Sequence, residues 1–391
     1  MKVNQQGVLR VLASEEWTRR NFLKMATMAV GAAALPFAPA MASEDLVKHA
    51  TEAAKPAGKL GDSLFFFGWS NTINTDNMQA FTTATGARVQ VSTFDSVESA
   101  IAKLEIAKET AGYDLFVVGD AYVKSVIDRK LVQPLDHSLL PNLANLGDAA
   151  RNASYDPGNK YTVLKYGGTE GFLYNKEVIK EDLRSWDDFF RVAAMPEVSG
   201  KVSVLNDSPS VLGLVFWREG KDYNTGDPEK LNRAKEILIK ELAPHIKDFT
   251  ARPIQGLLSG DFVLSQGYNG NSRHIFEQDP SRFAWVFPTP QCVGWSDNWS
   301  IPVGAKNVAA AHAWINYMLD PIVSAGEAAF NGYDTGVKGV IDAIPDSVVR
   351  KDIIVITPEV QARLVGQTLD GVNASLREQI YNEVKAAASR G

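Results

Sequence analysis

The chain has 391 residues, 40 basic and 46 acidic side chains, a formal net charge of −6 and 45% hydrophobic residues. This length and apolar content suit two domains of ordinary size, and the negative balance disfavours nucleic acid or anionic lipid as a partner. A single cysteine, Cys292, excludes an internal disulfide; the histidines are scattered, with no HExxH and no Cys/His pair, which argues against a structural metal site.

The first feature in chain order is an export signal. Thr18-Arg19-Arg20-Asn21-Phe22-Leu23-Lys24 precedes a weakly apolar run over 25–35 and the small-x-small triplet Ala40-Met41-Ala42. Basic, apolar and small segments in that order form a cleavable signal. The paired arginines with Phe, Leu and Lys at those offsets fit the twin-arginine pathway. The run is too short and too rich in Ala and Gly for a membrane span, which needs about 20 apolar residues. Cleavage is expected after Ala42, giving a soluble periplasmic protein. Without residues 1–42, which carry five basic and two acidic side chains, 35 basic and 44 acidic groups remain.

Residues 43–60 read as a polar linker. The continuous apolar run 64–68 then predicts a buried strand of a parallel sheet. A helix is predicted over 75–85, stopped by Gly86. Residues 88–94 alternate like a strand, 97–109 have helical spacing, and 113–118 form a third apolar strand ending at Gly119-Asp120. This β-α-β-α-β order implies a doubly wound α/β sheet. A second such region begins near Gly171. Ser185 caps a helix with Asp187 and Asp188 in its first turn. A strand over 201–205 leads into a helix opened by Ser208-Pro209. A further strand covers 262–267, and amphipathic helices cover 308–319 and 372–387.

Catalytic signatures are missing. The chain has no GxSxG elbow, no Walker loop and no GxGxxG after a strand. Gly167-Gly168-Thr169-Glu170-Gly171 does not match a phosphate loop, since Glu170 would repel phosphate; a chain crossover between lobes fits it better. Cys292 has no visible activating base and reads as a buried, inert thiol. The acidic pair Asp187/Asp188 reads as solvated first-turn residues.

Aromatic rings and carboxylates recur where strands end, which is where open α/β sheets bind ligands. Trp69 follows the first strand, Asp120 and Tyr122 the third, and Asp207 the strand at 201–205. Tyr268 and the Trp295-Ser296-Asp297 segment follow later strands. Rings attract a cation through their quadrupole and a carboxylate pairs with an ammonium, so the combination suits a cationic amine with an apolar stem. The competing account makes each Trp a core residue and each Asp a helix cap; Asp207, just before a helix start, is the most exposed to it.

On these residues the chain resembles the spermidine/putrescine-binding proteins of bacterial ABC importers. The resemblance runs over about 62–390. It is carried by Phe66-Phe67-Gly68-Trp69-Ser70, Ser92-Thr93-Phe94-Asp95-Ser96, Tyr113-Asp114-Leu115-Phe116-Val117-Val118 and Ser185-Trp186-Asp187-Asp188-Phe189. Its most specific parts are Trp295-Ser296-Asp297-Asn298 and Ile301-Pro302-Val303-Gly304-Ala305-Lys306-Asn307. The resemblance implies a two-lobed α/β periplasmic-binding-protein fold (type II-like), with the ligand cleft between lobes joined by crossover strands. One lobe would comprise 61–168 plus 297–338, the other 169–296 plus 339–391. It also implies a protein that delivers a small cationic amine to an inner-membrane permease and its ATPase; together with the export signal, which points to the twin-arginine translocase, the expectation is a monomer with no cofactor.

The ligand contacts that the resemblance implies are Trp69, Ser70, Tyr122 (with Ala121 as the alternative), Asp207, Tyr268, Trp295, Asp297, Tyr333 and Gln367; Asp120, from its place at a strand end, and Ser210, three residues after Asp207, complete the candidate set. Some positions depart from the family pattern. Ser210 stands where spermidine binders carry a Glu, Asn71 where putrescine binders carry an Asp, and Tyr268 where the family usually has Trp. Glu170 and Lys165 are added charges nearby. A diamine, a modified polyamine and an amine that also carries a carboxylate all stay open as ligands. A periplasmic enzyme and a ligand-presenting sensory module are the rival readings.

Overall fold

The computed structural model describes residues 43–389, apart from 71, 95, 109–111 and 369–372. The export signal and Asn71 lie outside the described residues. The strands are β1 (Ser63–Gly68), β2 (Arg88–Thr93), β3 (Leu115–Gly119), β4 (Thr162–Asn175), β5 (Val202–Val204), β6 (Ile246–Phe249), β7 (Leu264–Tyr268), β8 (Phe283–Val286), β9 (Cys292–Ser300) and β10 (Leu364–Gly366). The longer helices are α1 (Ser43–Ala54), α2 (Thr75–Thr85), α3 (Val97–Ala107), α4 (Asp120–Asp128), α5 (Trp186–Ala193), α6 (Ser208–Arg218), α7 (Pro228–Ile237), α8 (Asn269–Gln278), α9 (Val308–Met318), α10 (Pro321–Asn331) and α11 (Ala374–Ala388).

The strands join in the order β2-β1-β3-β9-β4-β7-β5-β6, with β8 added on β4 and β10 on β9. β1 pairs parallel with β2 and β3, and β5 pairs parallel with β6 and β7. Between these parallel ends, β9 and β4 run antiparallel to each other and to their outer neighbours β3 and β7. The expected crossover at Gly167–Gly171 is the middle of β4, which pairs with β9 over 162–169 and with β7 and β8 over 170–175.

The continuous apolar runs have a simple cause: both faces of each parallel end are covered. Phe66 packs with Phe81, Trp299 and Trp314 on one face of β1, and Phe67 packs with Phe94, Phe116 and Leu104 on the other. Phe172 faces Trp186, Phe189 and Trp217, while its neighbour Leu173 faces Leu257, Ile275 and Phe283. Predicted caps hold the helices between these layers. Gly86 ends α2 in the left-handed region at φ 76°, and Ser185 and Asp188 form a reciprocal capping box on α5. Asn307 caps α9 and also donates to Ser63 O at 2.8 Å, tying the Ala-Lys-Asn segment to the start of β1.

Residues 43–54, expected as linker, are helical and packed. Leu46, Ala50 and Ala53 are buried in the core around β1, and α1 lies against α2 and α9. Their spacing is one helical face, but small alanines among Lys and Glu gave it a polar look. His49 Nδ1 lies 2.8 Å from Asp320 Oδ2, at the cap of α10. Val340, Ile344, Val348 and Ile354 also join the core around β1, whereas Ile353 packs with the cluster around Leu173. Among the described residues no helix is long and apolar enough to cross a membrane.

Candidate functional site

The central pairing of β4 with β9 assembles the site. Trp295 stands opposite Gly168, and Asp297 stands opposite Tyr166 on one side and Gly119 of β3 on the other. Asp120, the first residue of α4, directly follows Gly119. Glu170 pairs with Tyr268 at the end of β7. Gly168 is required here by close approach. A Cβ at this position would come within 2.6 Å of Asn269 Oδ1, 2.6 Å of Trp295 Cζ2 and 2.8 Å of Tyr333 Cδ1.

Aromatic rings fill the middle. Trp295 makes edge contacts with Tyr333 at 4.9 Å, Tyr268 at 5.8 Å and Tyr166 at 6.0 Å between centroids. Tyr333 stacks on Tyr166 at 5.2 Å. Trp295 Nε1 is buried without a hydrogen-bond partner among the described residues.

One charged group gathers around Asp297, which is 7% exposed. The Trp69 indole and the Tyr166 hydroxyl reach its carboxylate as donors, and burial pushes its pKa up to about 6 against the opposing pull of Lys165. Burial likewise raises Asp120 to about 6, with Asp297 adding to the rise. Ala121 N donates to Asp120 Oδ1 at 2.8 Å. Lys165 Nζ donates to Thr72 O at 2.6 Å and sits 3.7 Å from the Tyr166 ring centroid. Burial lowers Lys165 to about 8, opposed by Glu327 and Asp297. Glu327, on α10, accepts from Asn74 N at 3.0 Å and Asn77 Nδ2 at 2.8 Å.

A second group forms at the start of α6. Asp207 is its N-cap, with Oδ2 accepting from Ser210 N at 2.9 Å and lying 2.7 Å from Ser210 Oγ. Ser210 Oγ is also 2.8 Å from Glu170 Oε1, and Gln266 Nε2 donates to Glu170 Oε2 at 3.1 Å. Burial, with Asp207 alongside, raises Glu170 to about 8, and burial also raises Asp207. The Tyr268 hydroxyl reaches Ser210. Carboxylates held this far above their usual range by desolvation form a site short of positive charge.

Of the residues singled out from sequence, Trp69, Asp120, Asp297, Trp295, Tyr333, Tyr268, Asp207 and Ser210 fall into these linked groups. The others lie differently. Ser70 is exposed in the turn after β1, and Gln367 is half-buried just beyond β10. Tyr122 donates its hydroxyl to Glu98, packs on the cluster around Phe67 and lies close enough to Asp207 to feel its charge. Asp207 is both a cap and a member of the site, so the two accounts of it coexist. Sequence reasoning missed Tyr166 and Glu327: Tyr166 beside paired glycines was a usable signal, whereas Glu327 in an Ala-rich helix resembled a solvated residue. Cys292 is buried, its Sγ donates to Glu170 O at 3.1 Å, and burial pushes the thiol up to about 12. No cluster of three or more His, Cys, Asp or Glu side chains is placed to hold a metal ion among the described residues.

Comparison with known proteins places this architecture. A spermidine/putrescine-binding periplasmic protein of Haemophilus influenzae is 31% identical over 86% of this chain and 92% of its own. A putrescine/agmatine-binding protein of Pseudomonas aeruginosa is 26% identical over 89% of this chain and 99% of its own. The crystal structure of a spermidine/putrescine ABC transporter substrate-binding protein from Streptococcus pneumoniae superposes with a TM-score of 0.73 at 26% identity, covering 84% of this chain and all of that one. These relatives are substrate-binding proteins of transporters rather than enzymes. The family model for bacterial extracellular solute-binding proteins matches residues 77–353, and with the mixed sheet, the helices on both faces and the carboxylate-and-ring site built on β4 and β9, the chain belongs to that family.

Proposed function

We propose that this protein is the periplasmic binding component of an ABC importer and takes a polyamine-type cation such as putrescine or spermidine. The carrying observation is the charge balance of the site. Asp120, Asp297, Glu327, Asp207 and Glu170 belong to the two linked groups; Lys165 acts as countercharge on Asp297 and Glu327, no cation among the described residues acts on the other three, and all five carboxyls are raised by burial. An ammonium at Asp297 and Asp120, and another at Asp207, would restore the balance, with Trp69, Trp295 and Tyr268 along the methylene stem. Ser70, Tyr122, Tyr333 and Gln367 are the remaining proposed contacts.

The lobes would be 61–168 plus 297–338 and 169–296 plus 339–391, with Val340, Ile344, Val348 and Ile354 packing back on the first and Ile353 on the second. β4 and β9 pass from one half to the other. A ligand held by both halves favours the closed state by differential contact, and the closed form would dock, as a monomer, on the permease. Export would use the twin-arginine translocase. A cut after Ala42 leaves all of α1, with its buried Leu46, Ala50 and Ala53, on the mature chain.

Isothermal titration of the mature chain with putrescine, spermidine and agmatine, beside an anion and a sugar, tests the proposal. Saturable heat with the amines is expected. Binding of the anion or the sugar with none of the amines would remove it.

A further inference from the structure

Ser210 Oγ has one hydrogen and two carboxylate neighbours, Asp207 Oδ2 at 2.7 Å and Glu170 Oε1 at 2.8 Å. A hydroxyl can donate to only one of them. The other short contact is then a bond only if that carboxyl carries a proton, and Glu170 is the more enclosed of the two, 5% exposed. With the proton on Glu170 both short contacts are hydrogen bonds: Glu170 O–H to Ser210 Oγ, then Ser210 O–H to Asp207 Oδ2. We propose that Glu170, Ser210 and Asp207 share a proton in the empty site, and that an ammonium arriving at Asp207 expels it, so that ligand capture is proton-linked. This rests on the amine-binding reading above and names Glu170 as a positioning residue that sets the charge offered by Asp207.

The surroundings favour holding that proton. Around Glu170 stand Asp207 and Ser210 from α6, Gln266 and Tyr268 from β7, Tyr223 from the loop after α6 and Cys292 from β9. The charges acting on Glu170 and Asp207 are negative: Asp207 on the former, Glu98 and Glu378 on the latter. Tyr122 and Tyr381 face Asp207 as neutral phenols. Burial with these neighbours raises Glu170 to about 8. An ammonium adds the missing positive charge; Glu170 ionises, and its proton leaves to buffer. Affinity for a cation therefore rises with pH up to about 8, by at most about tenfold per unit, and levels off above it.

The test is putrescine titration of the mature chain at pH 7.5 in phosphate and in Tris, whose ionisation enthalpies differ. Release of most of one proton per ligand is expected from the difference in heats. Glu170→Gln, whose amide can still donate to Ser210 Oγ, is expected to bind putrescine with no release at pH 7.5 and with affinity that no longer rises between about pH 7 and 8. Lys165→Met is expected to keep the release. Equal heats in both buffers for the unaltered protein overturn the proposal, as does release that persists in Glu170→Gln or vanishes only in Lys165→Met. Should Glu170→Gln not fold, Ser210→Ala serves. Loss of the acceptor for the Glu170 proton moves half-maximal release to lower pH, and an unmoved or raised midpoint overturns the proposal. No heat in either buffer is a different result, and it overturns the amine-binding reading itself.

Discussion

Lys165 faces Asp297 because it is the extra residue of a β-bulge. Leu164 pairs with Asn298 and Tyr166 with Asp297, so Lys165 has no partner of its own on β9. The bulge breaks the alternation of β4, and the Lys165 ammonium lies buried over Tyr166 with Asp297 and Glu327 as its countercharges. The protein thus carries its own cation beside the carboxylate expected to hold a ligand's.

Replacing Asp297 with Asn keeps the shape and removes the charge. Putrescine affinity should fall roughly 30- to 300-fold, the scale of losing one partner of a buried charged pair, about 2–3.5 kcal/mol. Calorimetry reads this directly, and a change below about threefold would place the amine elsewhere.

Removing Lys165 should act oppositely on stability and binding. Lys165→Met leaves Asp297 and Glu327 buried without their cation, and the ligand-free protein should lose about 3 kcal/mol. A bound amine then has less positive charge to compete with, so the melting-temperature rise on adding putrescine should exceed that of the unaltered protein. A smaller rise would contradict the role given to Lys165.

The ligand-free protein should become more stable as pH falls from 7.5 to 5.5. Asp297 and Asp120 titrate at about 6 in the folded state against an ordinary 3.8, and Glu170 at about 8 against 4.5. Groups raised on folding contribute stability that is complete below the unfolded value and lost as pH rises through the folded one. For Asp297 the change over this window is on the order of 1 kcal/mol. Carboxylates held low by ion pairs, such as Glu219 at about 2, weaken folding only as pH drops below about 4.5. Thermal melts without ligand check this, and saturating putrescine should cancel or reverse the trend.

Gly168→Ala should damage stability and binding together. Its Cβ would push on Asn269, Trp295 and Tyr333, and overpacking of this kind costs about 1–3 kcal/mol. Gly86→Ala is the contrast. Gly86 has φ +76° with open space around it, so alanine should cost about 1 kcal/mol and leave putrescine affinity unchanged. Equal effects of the two changes on affinity would detach Gly168 from the site.

Replacing Arg19 and Arg20 with lysines should retain the precursor in the cytoplasm, and N-terminal sequencing of the exported protein should begin at Ser43. Normal export of the double-lysine form would remove the twin-arginine assignment.

The sequence by itself determined the local elements. Apolar runs such as 64–68, the Ser185 cap and the Gly86 stop act within a few residues, so spacing and residue type suffice to read them. It also marked Trp295 and Asp297, because an aromatic and an acid beside a strand are unusual in a core. Only the tertiary structure decided that α1 is packed rather than linking, since alanines look polar or apolar according to what covers them. It alone placed Glu170 against Ser210, residues 40 apart in the chain, and turned Lys165 inward through one unpaired residue on β4. Strand side chains alternate with a period of two, so a single bulge decides which charges meet. That choice rests on long-range register, which no local pattern encodes.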